Sequence, residues 1–115
     1  GTMGGDSQPQ VVLQLLARLF VAGEDPGQAL AAPRWRFGSS SSNGFNTWSN
    51  PKEITLEIEG EHPKLIAELE RLGHVVKSLP PNNSAFGHAH IICLATDVLS
   101  GAAEPRVTVS GTAAY

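Results

Sequence analysis

A glycine pair, Gly4-Gly5, stands directly before the first predicted helix and has the types and spacing needed for chemistry. Glycine lacks a Cβ atom, so the backbone there can adopt unusual angles and approach a ligand closely. The helix is predicted to begin at about Ser7, and the positive end of its dipole favours negative charge near the pair. The arrangement can therefore stabilise an anion. The alternative is an ordinary glycine turn before a helix.

His88, His90 and Cys93 form a second candidate set, because imidazole and thiolate groups are common metal ligands. The two histidines lie two residues apart on a predicted strand and share a face, whereas Cys93 points to the other face. A third ligand would have to come from elsewhere, for example His74. We therefore interpret the histidines as structural or solvent-facing and Cys93 as a small apolar side chain. We expect no metal and no other cofactor.

The charged residues indicate structural roles and exclude some partners. Arg34 and Arg106 each follow a proline, and we interpret both as ion-pair partners, with a role in substrate binding as the alternative. Asp6 is interpreted as an electrostatic partner of the helix N-terminus rather than a catalyst. The net charge is −3 and the eight basic residues are scattered, so we expect no nucleic-acid partner. The longest apolar stretch, residues 11–22, is too short and too polar to cross a membrane.

The elements that must position these residues follow from apolar periodicity and turn signals. The first helix carries apolar residues at helical spacing, and Ser7 and Gln10 have the spacing of a capping box at its start. Residues 39–50 read as a loop, in which Phe45 and Trp48 could dock. We predict helices over residues 7–22, 25–32 and 63–72, and strands over residues 34–37, 54–58, 75–76, 88–95, 98–103 and 106–109. This order predicts an α+β fold, with a helical layer against a mostly antiparallel sheet.

Five short blocks, in a fixed order, carry a family resemblance along nearly the whole chain. They are residues 1–6 leading into a Gln-Pro-Gln helix start, residues 29–35, residues 65–75, residues 86–90, and residues 101–106 with the closing residues 111–115. Together they resemble the C-terminal half of the small subunit of γ-glutamyltransferases (γ-glutamyltranspeptidases), which are N-terminal-nucleophile hydrolases. Glu104 stands where the family usually has Asp, and Ala114 replaces a usual Gly. Thr2-Met3 and Asp6 around the glycine pair are more similar to a bacterial branch and to related acylases.

The resemblance implies a fold and a reaction. Residues 1–115 would be the C-terminal portion of the small subunit, a single partial domain of the α/β/β/α sandwich with mainly antiparallel strands packed against helices. The full protein would cleave γ-glutamyl amides such as glutathione through an acyl-enzyme on an N-terminal Thr. We expect that Thr upstream of Gly1, so the chain alone should be inactive. Gly4 and Gly5 would supply the backbone N–H groups that bind the oxyanion.

The resemblance also implies partners: the rest of the small subunit, the large subunit of the same precursor and a γ-glutamyl small molecule. Members of the family are often periplasmic or secreted. Two alternatives remain, a related amide acylase and a non-catalytic α+β binding or remnant module. A piece of a larger protein should expose a large apolar patch where the missing sheet packs, and could self-associate there. A self-sufficient module should not.

Overall fold

The computed structural model describes residues 1–39 and 50–113. Most of the predicted loop, including Phe45 and Trp48, lies outside the described residues, and so do the last two residues. The helices are α1 (Gln8–Phe20), α2 (Pro26–Ala31) and α3 (Pro63–Arg71). The strands are β1 (Thr2–Met3), β2 (Trp35–Ser39), β3 (Ile54–Glu59), β4 (Val76–Leu79), β5 (His88–Ala95) and β6 (Val98–Ala103). The predicted bounds of β5 and β6 are confirmed, and β1 is an element that the sequence analysis missed.

The described strands form two three-stranded sheets. In the first sheet the order is β1-β5-β6, and both pairs are antiparallel. In the second sheet the order is β2-β3-β4, with β2 antiparallel and β4 parallel to β3. The parallel pair exists because α3 carries the chain from β3 back to the start of β4, as a parallel connection requires. The predicted α+β class with mainly antiparallel strands is confirmed.

Helices α1 and α2 cover one face of the first sheet and form the main core with it. The alternation of side chains along β5 sends every second residue into this core, while the others point away. The fully or nearly buried members of the core are Val11, Leu15, Ala29, Leu30, Ala89 and Ile91.

The opposite face of the first sheet is open and apolar. Ile92 and Leu94 of β5 are 73% and 79% exposed, and Met3 and Leu99 on the flanking strands are also exposed. We call these four side chains the open apolar face. Isolated domains rarely leave several large apolar side chains of one sheet face this exposed, although His88 and His90 share the same face of β5. The structure thus contains the exposed patch that the sequence analysis predicted for a piece of a larger protein.

Helix α3 lies over the second sheet, and Arg18 of α1 lines the same cavity as the apolar residues of α3. Leu56 and Ile58 of β3 are buried, and Leu65 and Leu69 of α3 face them across a cavity of about 610 Å³. No residue of α3 is fully buried, although its apolar residues recur on one side. None of the helices in the described part of the chain has the length and apolar character needed to cross a bilayer.

The predicted capping box at the start of α1 is wrong. Ser7 closes a 3-10 turn (Gly5–Ser7) with helical backbone angles, and its side chain makes no capping hydrogen bond. The Ser7 hydroxyl instead accepts from Arg36 Nη1 at 3.3 Å, and Gln10 Oε1 accepts from the backbone N–H of Phe37 at 2.7 Å. Both polar side chains therefore form hydrogen bonds with residues of β2 instead of capping the helix.

Two other local interpretations also have clear outcomes. Asp25 caps α2 as predicted, and its partner in a complete capping box is Gln28. The predicted strand over residues 106–109 is wrong, because the chain there forms consecutive turns closed by Val107 N–H to Glu104 O and Ser110 N–H to Val107 O, each at 3.3 Å. Burial of the Arg106 side chain fixes the chain at this point and prevents an extended path.

Candidate functional site

The glycine pair lies where β1 ends and the 3-10 turn before α1 begins. Met3 pairs with His88 across the first sheet, and the chain then turns away through Gly4 and Gly5. The Ser7 N–H donates to Gly4 O at 2.9 Å, which closes the turn. Within residues 1–39 and 50–113, the N–H groups of Gly4 and Gly5 donate to no acceptor. Two free donors at a helix start are the arrangement that binds an anion.

The two glycines are constrained in different ways. Gly5 has a backbone conformation that favours glycine, whereas Gly4 is limited by the space around its Cα. The φ angle of Gly5 is +51°, in the left-handed region that side-chain-bearing residues avoid, and the space around its Cα is open. A Cβ on Gly4 would lie 3.4 Å from Gln8 N and 3.6 Å from Gly87 Cα. Gly5 therefore faces open space, whereas Gly4 packs against Gln8 and Gly87.

Gly87 supports the pair from the start of β5. Its φ is +81° and its ψ is 164°, a combination that is essentially confined to glycine. A Cβ there would lie 2.8 Å from Thr2 Oγ1 and 2.9 Å from Met3 O. The bare Cα of Gly87 thus lets β1 lie close against the start of β5.

We expect Gly87→Ala to destabilise the protein more than Gly73→Ala. Both positions have positive φ, but a Cβ on Gly73 would meet nothing within 4 Å. Backbone strain alone is expected to cost about 1–3 kcal/mol at either position. The forced separation of β1 from β5 adds to this only at Gly87. Urea denaturation of the two variants measures the difference, and equal losses would show that the close approach at Gly87 is unimportant.

Arg34 and Glu104 fix the backbone on both sides of Gly87. Arg34 Nη1 donates to Phe86 O at 3.0 Å and to Gly87 O at 3.2 Å. Glu104 Oε2 accepts from the Ala89 N–H at 2.8 Å and forms a 2.9 Å ion pair with Arg34 Nη2. Both side chains are almost completely buried. The turn that supports the glycine pair is therefore held by a buried ion pair.

Arg106 and Glu59 extend this pair into a buried ion-pair network of four residues. Arg106 Nη1 lies 2.7 Å from Glu104 Oε1, and Arg106 Nε donates to Glu59 Oε1 at 2.8 Å. Glu59 Oε2 also accepts from the Arg34 N–H at 3.0 Å. Because Glu59 belongs to β3 and Glu104 follows β6, the network joins the two sheets. The interpretation of Arg34 and Arg106 as structural ion-pair partners is confirmed.

The network sets the ionisation of its members. Burial disfavours the charged form of Glu104, but the Ala89 N–H and the two guanidinium groups outweigh it and hold the pKa of Glu104 below its usual value. Burial and the nearby charge of Arg106 lower the pKa of Arg34. For Arg106, hydrogen bonds and attraction from Glu59 and Glu104 exceed the effect of burial and raise the pKa.

Stability is consequently expected to fall in acid. Because the pKa of Glu104 is lower in the folded than in the unfolded chain, the unfolded chain binds its proton more readily. The stability from this group is fully present above its ordinary pKa of 4.5 and is lost as the pH falls through the lower, folded value. Melting temperatures from neutral pH down to pH 3 measure the effect. In Glu104→Gln the melting temperature should decrease less steeply between neutral pH and pH 3. A decrease as steep as that of the wild type would contradict this assignment.

The histidines and the cysteine do not come together. His88 and His90 lie on the side of β5 away from the helices, and Cys93 is half-buried on the helix side. His74 lines the cavity beneath α3 instead. Among the described residues, no group of three or more His, Cys, Asp or Glu side chains is placed to hold a metal ion. His88 Nε2 is buried and has no hydrogen-bond partner in the described part of the chain.

The sequence matches a known protein family along nearly its whole length. The family model for gamma-glutamyltranspeptidase matches residues 1–114. The chain belongs to the gamma-glutamyltranspeptidase family. It is 36% identical over 108 residues to the oxamate amidohydrolase proenzyme of Klebsiella pneumoniae, and 33% identical over 108 residues to the glutathione hydrolase-like YwrD proenzyme of Bacillus subtilis. Each alignment covers 92% of this chain but only 19% of the relative.

Two solved structures share the fold. The cephalosporin acylase of Bacillus halodurans superposes with a TM-score of 0.75 at 35% identity, over all of this chain and 19% of that one. The transpeptidase CapD of Bacillus anthracis superposes with a TM-score of 0.77 at 19% identity, over all of this chain and 61% of that one. The two sheets and their helices correspond to part of the α/β/β/α sandwich of N-terminal-nucleophile hydrolases.

Two residues that build the site, Glu59 and Gly87, were not predicted from the sequence of this gamma-glutamyltranspeptidase family member. Glu59 in the ion-pair network carried no local signal, because an acidic residue that alternates with Leu56 and Ile58 is expected to face solvent, and only the packing between the sheets buries it. The role of Gly87 was hidden, because its close neighbours are Thr2 and Met3 at the other end of the chain.

Proposed function

We propose that this chain is the C-terminal portion of the small subunit of a γ-glutamyl hydrolase or transferase. Gly4 and Gly5 bind the oxyanion, and the nucleophilic Thr comes from the part of the protein upstream. One observation carries the proposal: two backbone N–H groups without an acceptor in the described chain lie together at the start of α1 in a member of this family. The buried ion-pair network fixes the Gly87 turn, and the pair lies against this turn, so the network supports the preorganisation that oxyanion stabilisation needs.

The reaction that these groups serve is acyl transfer. The Thr hydroxyl attacks the γ-glutamyl carbonyl carbon, its proton passes to the Thr α-amine, and the carbonyl oxygen becomes an oxyanion. Gly4 and Gly5 donate to that oxygen. Collapse of the intermediate expels the amine, which takes up the proton, and leaves an acyl-enzyme. Water or a second amine then attacks the acyl-enzyme carbonyl carbon and gives its proton to the Thr α-amine. The same two N–H groups bind the new oxyanion, whose collapse releases the acyl product and returns the proton to the Thr oxygen.

The rest of the same precursor is the proposed partner of the open apolar face. The chain spans 19% of the length of its curated relatives, so most of a protein of that size lies outside it. Sheets that pack face to face bury apolar side chains between them. The exposed Ile92 and Leu94 would be covered in this way, and an isolated copy of the chain is expected to be inactive and to self-associate there.

An amide acylase is the second candidate. Two relatives at 35–36% identity are an oxamate amidohydrolase proenzyme and a cephalosporin acylase, neither of which is named for a γ-glutamyl substrate. The oxyanion donors would serve either reaction, since both proceed through a tetrahedral intermediate. The groups that grip the acyl side chain would come from the upstream part and decide between the two.

A matched pair of substrates tests the proposal on the complete gene product. γ-Glutamyl-p-nitroanilide and glutaryl-p-nitroanilide have the same reacting amide and differ only in the α-amino group. The proposal predicts a kcat/KM at least about 100-fold higher for the γ-glutamyl compound, because a site built for a charged amine leaves polar groups unpaired without it. Equal turnover would favour the acylase. No turnover of either, by a correctly processed protein, would contradict both enzyme assignments.

A further inference from the structure

The outer edge of β2 is occupied by two glutamine side chains of α1 rather than by another strand. Gln14 Nε2 donates to Trp35 O at 2.8 Å, and Gln14 Oε1 accepts from the Trp35 N–H at 3.0 Å. One turn earlier, Gln10 Oε1 accepts from the Phe37 N–H at 2.7 Å. A single carboxamide thus satisfies both backbone groups of Trp35, as a neighbouring strand would. We call these contacts the glutamine clamp.

The clamp fixes the start of α1 on the second sheet. Gln14 Nε2 also donates to Gln10 O at 2.9 Å, which ties the same amide to its own helix. Arg36 adds a third contact, because its Nη1 donates to Ser7 Oγ at 3.3 Å while its Nε pairs with Glu57 at 2.6 Å. The first two turns of α1 are therefore attached to β2 at three successive residues of the strand.

We propose that Gln14 and Gln10 are positioning residues for the glycine pair, acting through α1. This inference rests on the proposed function. The 3-10 turn runs directly into α1, and the Ser7 N–H is bonded to Gly4 O, so no flexible linker separates the clamp from the pair. A shift of α1 along β2 moves the Gly4 and Gly5 N–H groups by a similar distance. Gly87 and its ion pair locate the other side of the pair, and the clamp sets the helix side.

The position of these donors matters most in the transition state. A displacement of about 1 Å at a reacting centre can reduce the rate by about 10²-fold. Loss of the clamp should therefore lower kcat and leave KM nearly unchanged, because the oxyanion forms only after the substrate has bound. A purely structural role, for example shielding of the β2 edge, would lower stability and leave kcat intact.

The test uses the complete gene product and three variants. Gln14→Ala removes all three contacts of this side chain but keeps a good helix former. Gln14→Glu keeps the acceptor for the Trp35 N–H and loses the two donated bonds. Gln28→Ala is the matched control, because its side chain bonds the Asp25 N–H at 3.2 Å at the start of α2, away from the clamp. The readouts are kcat and KM for γ-glutamyl-p-nitroanilide, melting temperature, and amide hydrogen exchange of residues 4–10.

The positioning role predicts that Gln14→Ala lowers kcat by about 10–100-fold with KM within about twofold. Gln14→Glu, which places a carboxylate oxygen against the Gln10 and Trp35 carbonyl oxygens, should lower kcat at least as much, and Gln28→Ala should match the wild-type kcat. Exchange of residues 4–10 should become faster only in the Gln14 variants. An unchanged kcat with a lower melting temperature would overturn the inference. If the wild type itself shows no turnover, the proposed function fails, and unchanged exchange in Gln14→Ala would then overturn the positioning role separately.

Discussion

Replacement of Glu104 by alanine is expected to lower the free energy of unfolding by about 3–5 kcal/mol, the effect typical of removing one partner from a buried ion pair. Glu104 contacts Arg34 at 2.9 Å and Arg106 at 2.7 Å, and all three side chains are almost fully buried. The variant leaves two guanidinium groups with Glu59 as their remaining carboxylate in the network. It also leaves the Ala89 N–H without its acceptor. Chemical denaturation of the complete protein measures the loss.

Glu68→Ala is the matched control for this prediction. Glu68 also pairs with an arginine, Arg71, at 2.9 Å, but both side chains are more than 60% exposed. Exposed pairs contribute about 0–1 kcal/mol, because water solvates the separated charges well. The structure predicts a clear difference between the two alanine variants. A loss for Glu104→Ala no larger than for Glu68→Ala would mean that the four-residue network does not hold the sheets together.

Removal of the Gly5 N–H should reduce kcat by about 10²–10³-fold, the usual effect of losing one oxyanion donor. Replacing Gly5 by the matching α-hydroxy acid turns its amide into an ester and removes this hydrogen, at the cost of a weaker Gly4 carbonyl acceptor for the Ser7 N–H. The change keeps the +51° φ accessible and adds no side chain, so the fold should persist. The decrease should appear in kcat rather than in KM, because the donor acts on charge that develops in the transition state.

The same ester at Gly73 controls for the chemistry of the replacement. The Gly73 N–H donates to Glu70 O at 2.9 Å at the end of α3. Its loss removes one hydrogen bond at the helix end and leaves the glycine pair Gly4-Gly5 unchanged. We expect a lower melting temperature and an unchanged kcat. A Gly5 ester with wild-type kcat would remove Gly5 from the oxyanion site, even if the enzyme assignment survived.

The local elements were predictable where apolar periodicity and turn chemistry agreed. Strands β5 and β6 have the bounds predicted from their apolar runs, and Asp25 caps α2 as its type and position indicate. The prediction failed at Ser7 and Gln10, where the motif was local but the partners were not. Arg36 and the Phe37 N–H, about 30 residues away in sequence, compete for the same side chains. The sequence alone does not show which distant hydrogen-bonding groups the fold brings next to Ser7 and Gln10.

The candidate site was predictable to a similar degree. The resemblance pointed to Gly4 and Gly5, and their role remains a prediction, but nothing in the local sequence indicated what holds them. The contact of Gly87 with Thr2 joins opposite ends of the chain, and the Glu59 pairing joins separate sheets. Such contacts follow from the packing of whole elements, which spacing along the chain does not encode.

The most direct test of the central claim is the mass of the native gene product, followed over time after purification. The account predicts a precursor that cleaves itself once, just before an upstream Thr, with this sequence at the end of the smaller chain and γ-glutamyl-p-nitroanilide turnover appearing in step. A protein that turns over the substrate without cleavage would contradict the N-terminal Thr mechanism. A native gene that encodes nothing upstream of Gly1 would contradict the enzyme assignment itself.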